Sequence, residues 1–255
     1  MTEPTQTARD CIIVALDVNN PQQALEIAQS LDGHVGAFKL GLEFMTSVLA
    51  TLATSDAHSL NAKWNALAKL FELLNGRIMW DGKFNDIPNT MAGAVRGFGP
   101  VHPRFFTVHA SAGIPGMLEA AKFRGSSKML AVTVLTSFAE DEAFLTFGAP
   151  SKAKVLQFAR NAALAGADGI VCSPQELAIL AKQPELTKLI KVIPGIRPAG
   201  SETADQKRVM TPGEAMKLMA DYLVIGRPIT GASDPVSAAK AIADEIAQAL
   251  QETGR

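Results

Sequence analysis

The chain has 255 residues, 47% of them hydrophobic, and a formal net charge of -1 at pH 7. This length fits either two small domains or one α/β barrel. The balanced charge argues against a nucleic-acid or anionic-membrane partner, and no apolar run approaches the roughly 20 residues of a membrane span.

The first ten residues, MTEPTQTARD, are polar and lack the hydrophobic segment of a signal peptide. Cys11 and Cys172 both lie inside apolar runs, which indicates buried thiols rather than a disulfide framework or a metal cluster. We therefore expect a cytoplasmic protein that binds neither nucleic acid nor membrane.

Short apolar runs alternate with longer stretches of helical periodicity, and Gly, Pro, Asn or Asp marks each change. We predict eight strands, which begin at Cys11, Ala37, Arg77, Arg104, Met129, Gly169, Leu189 and Tyr222. The clearest helices lie between or after these strands and cover residues 21–30, 42–53, 151–165 and 235–251. Several of them open with proline, which the first helical turn tolerates.

This alternation predicts the fold class. Eight strand–helix units in about 250 residues are typical of an α/β fold of the (β/α)8 TIM-barrel type. Near-continuous apolar strands favour the same fold, because its sheet is buried on both faces. A doubly wound sheet is the main alternative, but no G-x-G-x-x-G motif follows the first strand.

We expect a single domain over residues 1–255, since no finer repeat, low-complexity tract or charge block divides the chain. One stretch, residues 54–76, disturbs the rhythm with a polar loop and an amphipathic helix before the third strand. We interpret it as a surface insertion.

Charged residues fall at the predicted carboxyl ends of the first three strands, where TIM barrels build their active sites. Asp17 ends the first strand, Lys39 lies near the end of the second, and Asp81 and Lys83 end the third. Side chains in a strand repeat with period two, so Asp81 and Lys83 should face the same way. Buried ion pairs stabilise weakly, and alternating charges on three neighbouring strand ends therefore suggest a catalytic task.

Each of these residues also has an ordinary structural interpretation. Asp17 alone is more typical of a helix N-cap, and Lys39 alone of a lysine that extends to the barrel rim. His109 ends the fourth strand, where a packed core histidine is more common than a general base. Asp86 follows a broken strand, so it could turn into its own site or reach a neighbouring chain.

The second half of the chain suggests a phosphate site. Arg197 ends the seventh strand, Gln206 lies in the long loop that follows, and Gly226 and Arg227 end the eighth. Loops after the seventh and eighth strands of barrels often bind phosphate through backbone N–H groups and an arginine.

These motifs resemble a known family. The pattern D-x-K-x-x-D-I-x-x-T at Asp81, Lys83, Asp86, Ile87 and Thr90 is similar to the signature of orotidine 5'-phosphate decarboxylases. The resemblance extends over most of the chain and includes Asp17, Lys39, Thr136, Arg197, Gln206, Gly226 and Arg227. The stretch between Lys39 and Asp81 departs from the family pattern because it is longer.

The resemblance implies a homodimeric barrel that converts orotidine 5'-monophosphate to uridine 5'-monophosphate and CO₂ without a metal or cofactor. Lys83 would protonate C6, held by Asp81 and the partner's Asp86, while Lys39 would balance Asp81 and bind near the ribose with Asp17. Ile87 would contact the substrate, and Thr90 would enter the partner's site beside Asp86.

A dianionic phosphate would be held by Arg227, the Gly226 amide and Gln206. The resemblance adds Arg197 as a further ligand-side contact and Thr136 as a pyrimidine contact. Closure of the loop 199–212 over the phosphate would complete the site.

Three alternative functions remain open. A related Mg²⁺-dependent decarboxylase of 3-keto-gulonate 6-phosphate shares D-x-K-x-x-D but has a glutamate at the position of Lys39. Another phosphate-binding barrel, such as an isomerase, would leave Lys39 and Asp86 unexplained. A non-catalytic nucleotide-binding protein would bind uridine monophosphate without turnover.

Overall fold

Eight parallel strands close into a barrel in which each strand pairs with its neighbours in chain order and β8 pairs with β1. The structure is a computed structural model that describes residues 7–198 and 210–255. The strands are β1 Ile12–Ala15, β2 Ala37–Gly41, β3 Ile78–Phe84, β4 Phe105–His109, β5 Lys128–Val132, β6 Gly169–Val171, β7 Ile190–Ile193 and β8 Tyr222–Ile225. The predicted TIM barrel and its eight strands are confirmed.

Helices surround the barrel. They are α1 Pro21–Ser30, α2 Leu42–Thr54, α3 Ala57–Leu73, α4 Pro88–Phe98, α5 Gly113–Lys122, α6 Glu140–Phe147, α7 Ser151–Leu164, α8 Leu177–Leu180, α9 Pro212–Lys217, α10 Arg227–Thr230 and α11 Pro235–Thr253. In α1 the side chain of Asn20 accepts a hydrogen bond from Gln22 N at 2.9 Å, and Pro21 occupies the first turn, so this helix begins at its predicted residue. No helix in the described residues is long and apolar enough to cross a membrane.

Both faces of the barrel sheet are buried, as the apolar strands predicted. One face packs inside the barrel, where Ile13, Leu130 and Val192 belong to a common cluster, and the other packs against the helices. At the amino ends of the strands, the rings of Phe105 and Tyr222 meet edge to face with centroids 5.0 Å apart. These side chains fill the amino-terminal end of the barrel, which leaves room for a site at the carboxyl end.

The stretch 54–76, interpreted above as a surface insertion, consists mainly of α3. Asp56 caps this helix by accepting hydrogen bonds from His58 N and Ser59 N at 2.9 and 3.0 Å. Ala66 and Leu70 are buried, and the helix packs against α1. The segment therefore belongs in part to the helical layer of the barrel rather than standing outside it.

Candidate active site

A cavity of about 540 Å³ opens at the carboxyl ends of the strands. Its volume suits a small-molecule ligand. Most of the predicted site residues line it, namely Asp17, Lys39, Asp81, Lys83, Thr136, Arg197, Gly226 and Arg227.

On one wall of the cavity, four alternating charges form a connected ion network. Lys83 Nζ lies 2.6 Å from Asp81 Oδ2, and Lys39 Nζ lies 3.6 Å from the same oxygen. Lys39 Nζ also lies 2.8 Å from Asp17 Oδ1. Half of the Asp17 side chain is exposed to solvent, whereas only 7% of the Asp81 side chain is exposed. The network thus runs from the rim to the cavity floor, and Asp81 at its centre is the most enclosed.

Asp81 is held as a carboxylate. Burial alone would raise its pKa, but the charges of Lys83 and Lys39, with hydrogen bonds from Lys83 and Thr107, outweigh burial and lower the pKa below its ordinary 3.8. A buried carboxylate with a low pKa is a fixed negative charge across the working pH range. It can hold the ammonium group of an adjacent lysine in one orientation.

The end of β3 is irregular. Trp80 pairs with Phe106, but Phe84 pairs with Val108, so the ladder between β3 and β4 shifts register at residues 81–83. Lys83 has φ of +46°, in the left-handed region. Asp81 and Lys83 are neighbours as predicted, yet the period-two argument for that contact does not hold through a bulge.

Three further residues shape this wall, and the motif analysis missed them. A Cβ on Gly41 would lie 2.7 Å from Lys39 Nζ and 3.3 Å from Asp17 Oδ1, so a larger residue there would move the ammonium group from its present position in that ion pair. A Cβ on Gly82 would lie 2.7 Å from the ring of Phe84. Gly82 lies between Asp81 and Lys83, and Gly41 follows Lys39 by two positions, so their closeness to charged motif residues was the available signal.

Thr107 on β4 is the third. It is fully buried, donates a hydrogen bond to Asp81 Oδ1 at 2.9 Å, and accepts one from Lys83 N at 2.9 Å. Nothing in the sequence pattern distinguishes Thr107 from other strand threonines.

The other side of the cavity carries two arginines. Burial, followed by the nearby positive charge of Arg227, lowers the pKa of Arg197. Two guanidinium groups that repel each other at one wall favour an anionic ligand. Gly226 and Thr230 line the same part of the cavity, whereas the predicted contact Gln206 lies outside the described residues.

Asp86, Ile87 and Thr90 do not line this cavity. All three are exposed, and Ile87 is 67% accessible. The carboxylate of Asp86 accepts a hydrogen bond from Ile87 N at 2.7 Å, beyond the end of β3. These signature residues thus lie just before and within the first turn of α4, exposed and outside the lining of the cavity of their own chain.

His109 is half-buried at the end of β4. Burial lowers its pKa, and the charge of Lys83 lowers it further, while Asp81 acts in the opposite direction. Its imidazole is therefore neutral at neutral pH and close to the ion network. Among the described residues, no group of three His, Cys, Asp or Glu side chains is arranged to hold a metal ion.

The fold and the site together define a (β/α)8-barrel enzyme with a buried ion network opposite a cationic wall. Residues 10–242 match the family described as "Orotidine 5'-phosphate decarboxylase / HUMPS family". The chain belongs to this family, as the signature residues indicated.

Individual relatives agree with the family match. The chain is 40% identical over 253 residues to a protein of Moorella thermoacetica named orotidine 5'-phosphate decarboxylase, with 94% of this chain and 93% of the relative covered. A protein of the same name from Gluconobacter oxydans is 40% identical over 257 residues, with 94% of this chain and 99% of the relative covered. The crystal structure of the Lactobacillus acidophilus enzyme of that name superposes with a TM-score of 0.73 at 31% identity, covering 92% of this chain and 98% of that one.

Proposed function

We propose that this protein decarboxylates orotidine 5'-monophosphate to uridine 5'-monophosphate, with Lys83 as the proton donor. The observation that carries the proposal is the contact of 2.6 Å between Lys83 Nζ and the buried Asp81, inside a cavity with two arginines on its other side. Family membership supports the same reaction. A cytoplasmic location is part of the proposal, and the buried thiols of Cys11 and Cys172 suit a reducing compartment.

The reaction needs a fixed cation. When CO₂ leaves C6 of the pyrimidine, the electron pair remains in an in-plane orbital that does not conjugate with the ring. The barrier falls if a positive charge already stands where this negative charge develops. Lys83 supplies that charge and then transfers a proton to C6.

The remaining members of the ion network position Lys83 and balance the charge around it. Asp81 aligns the ammonium group of Lys83 through their contact of 2.6 Å. Lys39 balances Asp81, and through its contact with Asp17 it places two hydrogen-bonding groups at the rim, where the ribose hydroxyls bind. Because these charges are positioned before the substrate arrives, little reorganisation is needed during the reaction.

The cationic wall binds the phosphate. Arg227 and the backbone N–H of Gly226 hold the phosphate dianion, with Arg197 beside them and Gln206 contributed by the loop 199–212. Thr136 lines the cavity and contacts the pyrimidine. Enzymes lower barriers by about 8 to 23 kcal/mol, more than one lysine provides, so phosphate binding must also contribute to assembling the site.

Asp86, Ile87 and Thr90 act in a second copy of the chain. Their exposure and their absence from the lining of the cavity in their own chain support a homodimer in which these residues complete the partner's site. In that arrangement Asp86 adds a second carboxylate beside the Lys83 of the other subunit.

Turnover is tested by following the ultraviolet absorbance of orotidine 5'-monophosphate with purified protein. We expect wild-type protein to consume the substrate, with or without a chelator, because no step of the proposed mechanism uses a metal. Lys83→Ala should lose nearly all turnover, whereas Lys122→Ala, which removes an ion-paired surface lysine, should not. If Lys83→Ala retains a tenth of the wild-type rate, Lys83 is not the proton donor.

Sharing of the site is tested with mixed dimers. Lys83→Ala and Asp86→Ala should each be inactive alone. In an equimolar mixture, random exchange gives heterodimers with one intact site, so activity should return to about a quarter of the wild-type level. Proven subunit exchange without recovery would show that each site is formed within one chain.

A further inference from the structure

Thr107 occupies an unusual position between the two central residues of the site. Its hydroxyl group accepts a hydrogen bond from the backbone N–H of Lys83 and donates one to Asp81 Oδ1, both at 2.9 Å. The side chain is fully buried. One hydroxyl group on β4 therefore connects the main chain of the lysine with the side chain of the aspartate on β3.

The bulge in β3 explains why this connection is needed. If the register of Trp80 with Phe106 continued, Asp81 would pair with Thr107 and Gly82 with Val108. Instead Phe84 pairs with Val108, and residues 81–83 leave the regular pairing with β4. The hydroxyl group of Thr107 provides the hydrogen bond that Lys83 N would otherwise lack. It also lies beside Lys83, whose backbone is in the sparsely populated left-handed region. That conformation persists only when the surrounding structure holds it.

The same hydroxyl group fixes the direction of the Asp81 carboxylate. With Oδ1 bound to Thr107, Oδ2 faces Lys83 at 2.6 Å and Lys39 at 3.6 Å. Without Thr107, the carboxylate could rotate about its terminal torsion, which is intrinsically broad. Both ends of the catalytic contact, the backbone of Lys83 and the carboxylate of Asp81, thus depend on one side chain.

We propose that Thr107 is a positioning residue for the decarboxylation, which sets the location of the Lys83 ammonium group by holding the bulge and the Asp81 carboxylate in register. The inference rests on the proposed role of Lys83. It assigns no contact between Thr107 and the substrate, so Thr107 should influence the chemical step more than substrate binding.

The test compares Thr107→Val, which exchanges the hydroxyl group for a methyl group, with Thr107→Ser, which keeps the hydroxyl group. Thr133→Val is the matched control, because Thr133 is also buried in the barrel but donates its hydroxyl hydrogen to Val171 O at 2.9 Å on the neighbouring strand. We expect Thr107→Val to lower kcat about 100-fold while KM changes less than about threefold, since small misplacements of a catalytic group have effects of this size. Thr107→Ser should recover most of kcat, and Thr133→Val should keep it.

Other results overturn the proposal. These are a Thr107→Val kcat within about threefold of wild type, an equal loss of kcat in Thr133→Val, or a loss confined to KM. If Thr107→Val does not fold, Thr107→Ala replaces it under the same criteria, and a Thr107→Ser enzyme as impaired as Thr107→Ala then refutes the role of the hydroxyl group. Lys83→Ala is measured in parallel. Substantial turnover in Lys83→Ala refutes the proposed function itself, whereas an inactive Lys83→Ala with an unimpaired Thr107→Val refutes only the inference about Thr107.

Discussion

The left-handed backbone of Lys83 predicts an unusual order of stability. At most extended positions, a protein with glycine is less stable than the same protein with alanine. The reason is that glycine gives the unfolded chain more conformational freedom, which is lost on folding. At Lys83, where φ is +46°, we expect the reverse: Lys83→Gly should be more stable than Lys83→Ala. Both variants remove the ammonium group, so the loss of its contact with Asp81 cancels in the comparison.

The size of the difference follows from two opposing contributions. The left-handed conformation costs a residue with a Cβ about 1–2 kcal/mol. Glycine loses about 0.5–1 kcal/mol more than alanine in backbone entropy on folding. With each contribution taken at the middle of its range, the difference in the free energy of unfolding should be about 0.75 kcal/mol in favour of Lys83→Gly. In a protein of this length, that corresponds to about 1.5–3 °C in Tm.

Denaturant unfolding of Lys83→Gly and Lys83→Ala measures the difference. Ser55 is the control, because it has an ordinary extended backbone with φ of -79° and its side chain also makes contacts that both substitutions remove. There, Ser55→Ala should be more stable than Ser55→Gly. If Lys83→Ala matches or exceeds Lys83→Gly while the Ser55 pair behaves as expected, Lys83 is not held in a strained conformation.

Three further predictions concern the site charges. Arg227→Ala should lower kcat/KM about 100-fold for the nucleotide but little for orotidine lacking its phosphate, and equal losses would contradict the phosphate assignment. Gly41→Ala should push Lys39 from its ion pair and raise KM about tenfold, whereas Gly97→Ala, which meets nothing within 4 Å, should leave KM unchanged. Because the folded pKa of Asp81 is lowered, its carboxylate stabilises the protein above pH 3.8, and this contribution is lost at lower pH. The stability advantage of wild type over Asp81→Asn should therefore shrink as pH falls below 3.8 in denaturant titrations.

The sequence was sufficient to predict the barrel because every strand contains a short apolar run, and Gly, Pro, Asn or Asp marks most of the changes from strand to helix. The bounds of α1 could be predicted because Asn20 and Pro21 define its start locally. The placement of α3 could not be predicted from the sequence. Its apolar face was visible in the sequence, but whether that face packs on α1 or extends into solvent depends on contacts between distant segments.

The site was predictable where it depends on charge and less so where it depends on backbone geometry. Asp17, Lys39 and Asp81 could be brought together from topology alone, since adjacent parallel strands end at one edge. The bulge at Lys83 has no local signal apart from Gly82, because it arises from a register shift between β3 and β4. The role of Thr107 could not be predicted either, because it depends on which residues of the neighbouring strand β3 lie beside its hydroxyl group.

The distribution of charge supports the proposed binding of the substrate's phosphate. In the ion network, two lysines balance two aspartates, so that wall alone does not select for an anion. On the opposite wall, Arg197 and Arg227 line the cavity together, and the pKa of Arg197 is lowered partly by its neighbour. A phosphate dianion relieves that repulsion, which gives binding energy far from C6. In the proposed mechanism, the ion network is then free to serve the chemical step: because its charges balance, it does not bind the ground-state carboxylate so tightly that the barrier to losing CO₂ rises.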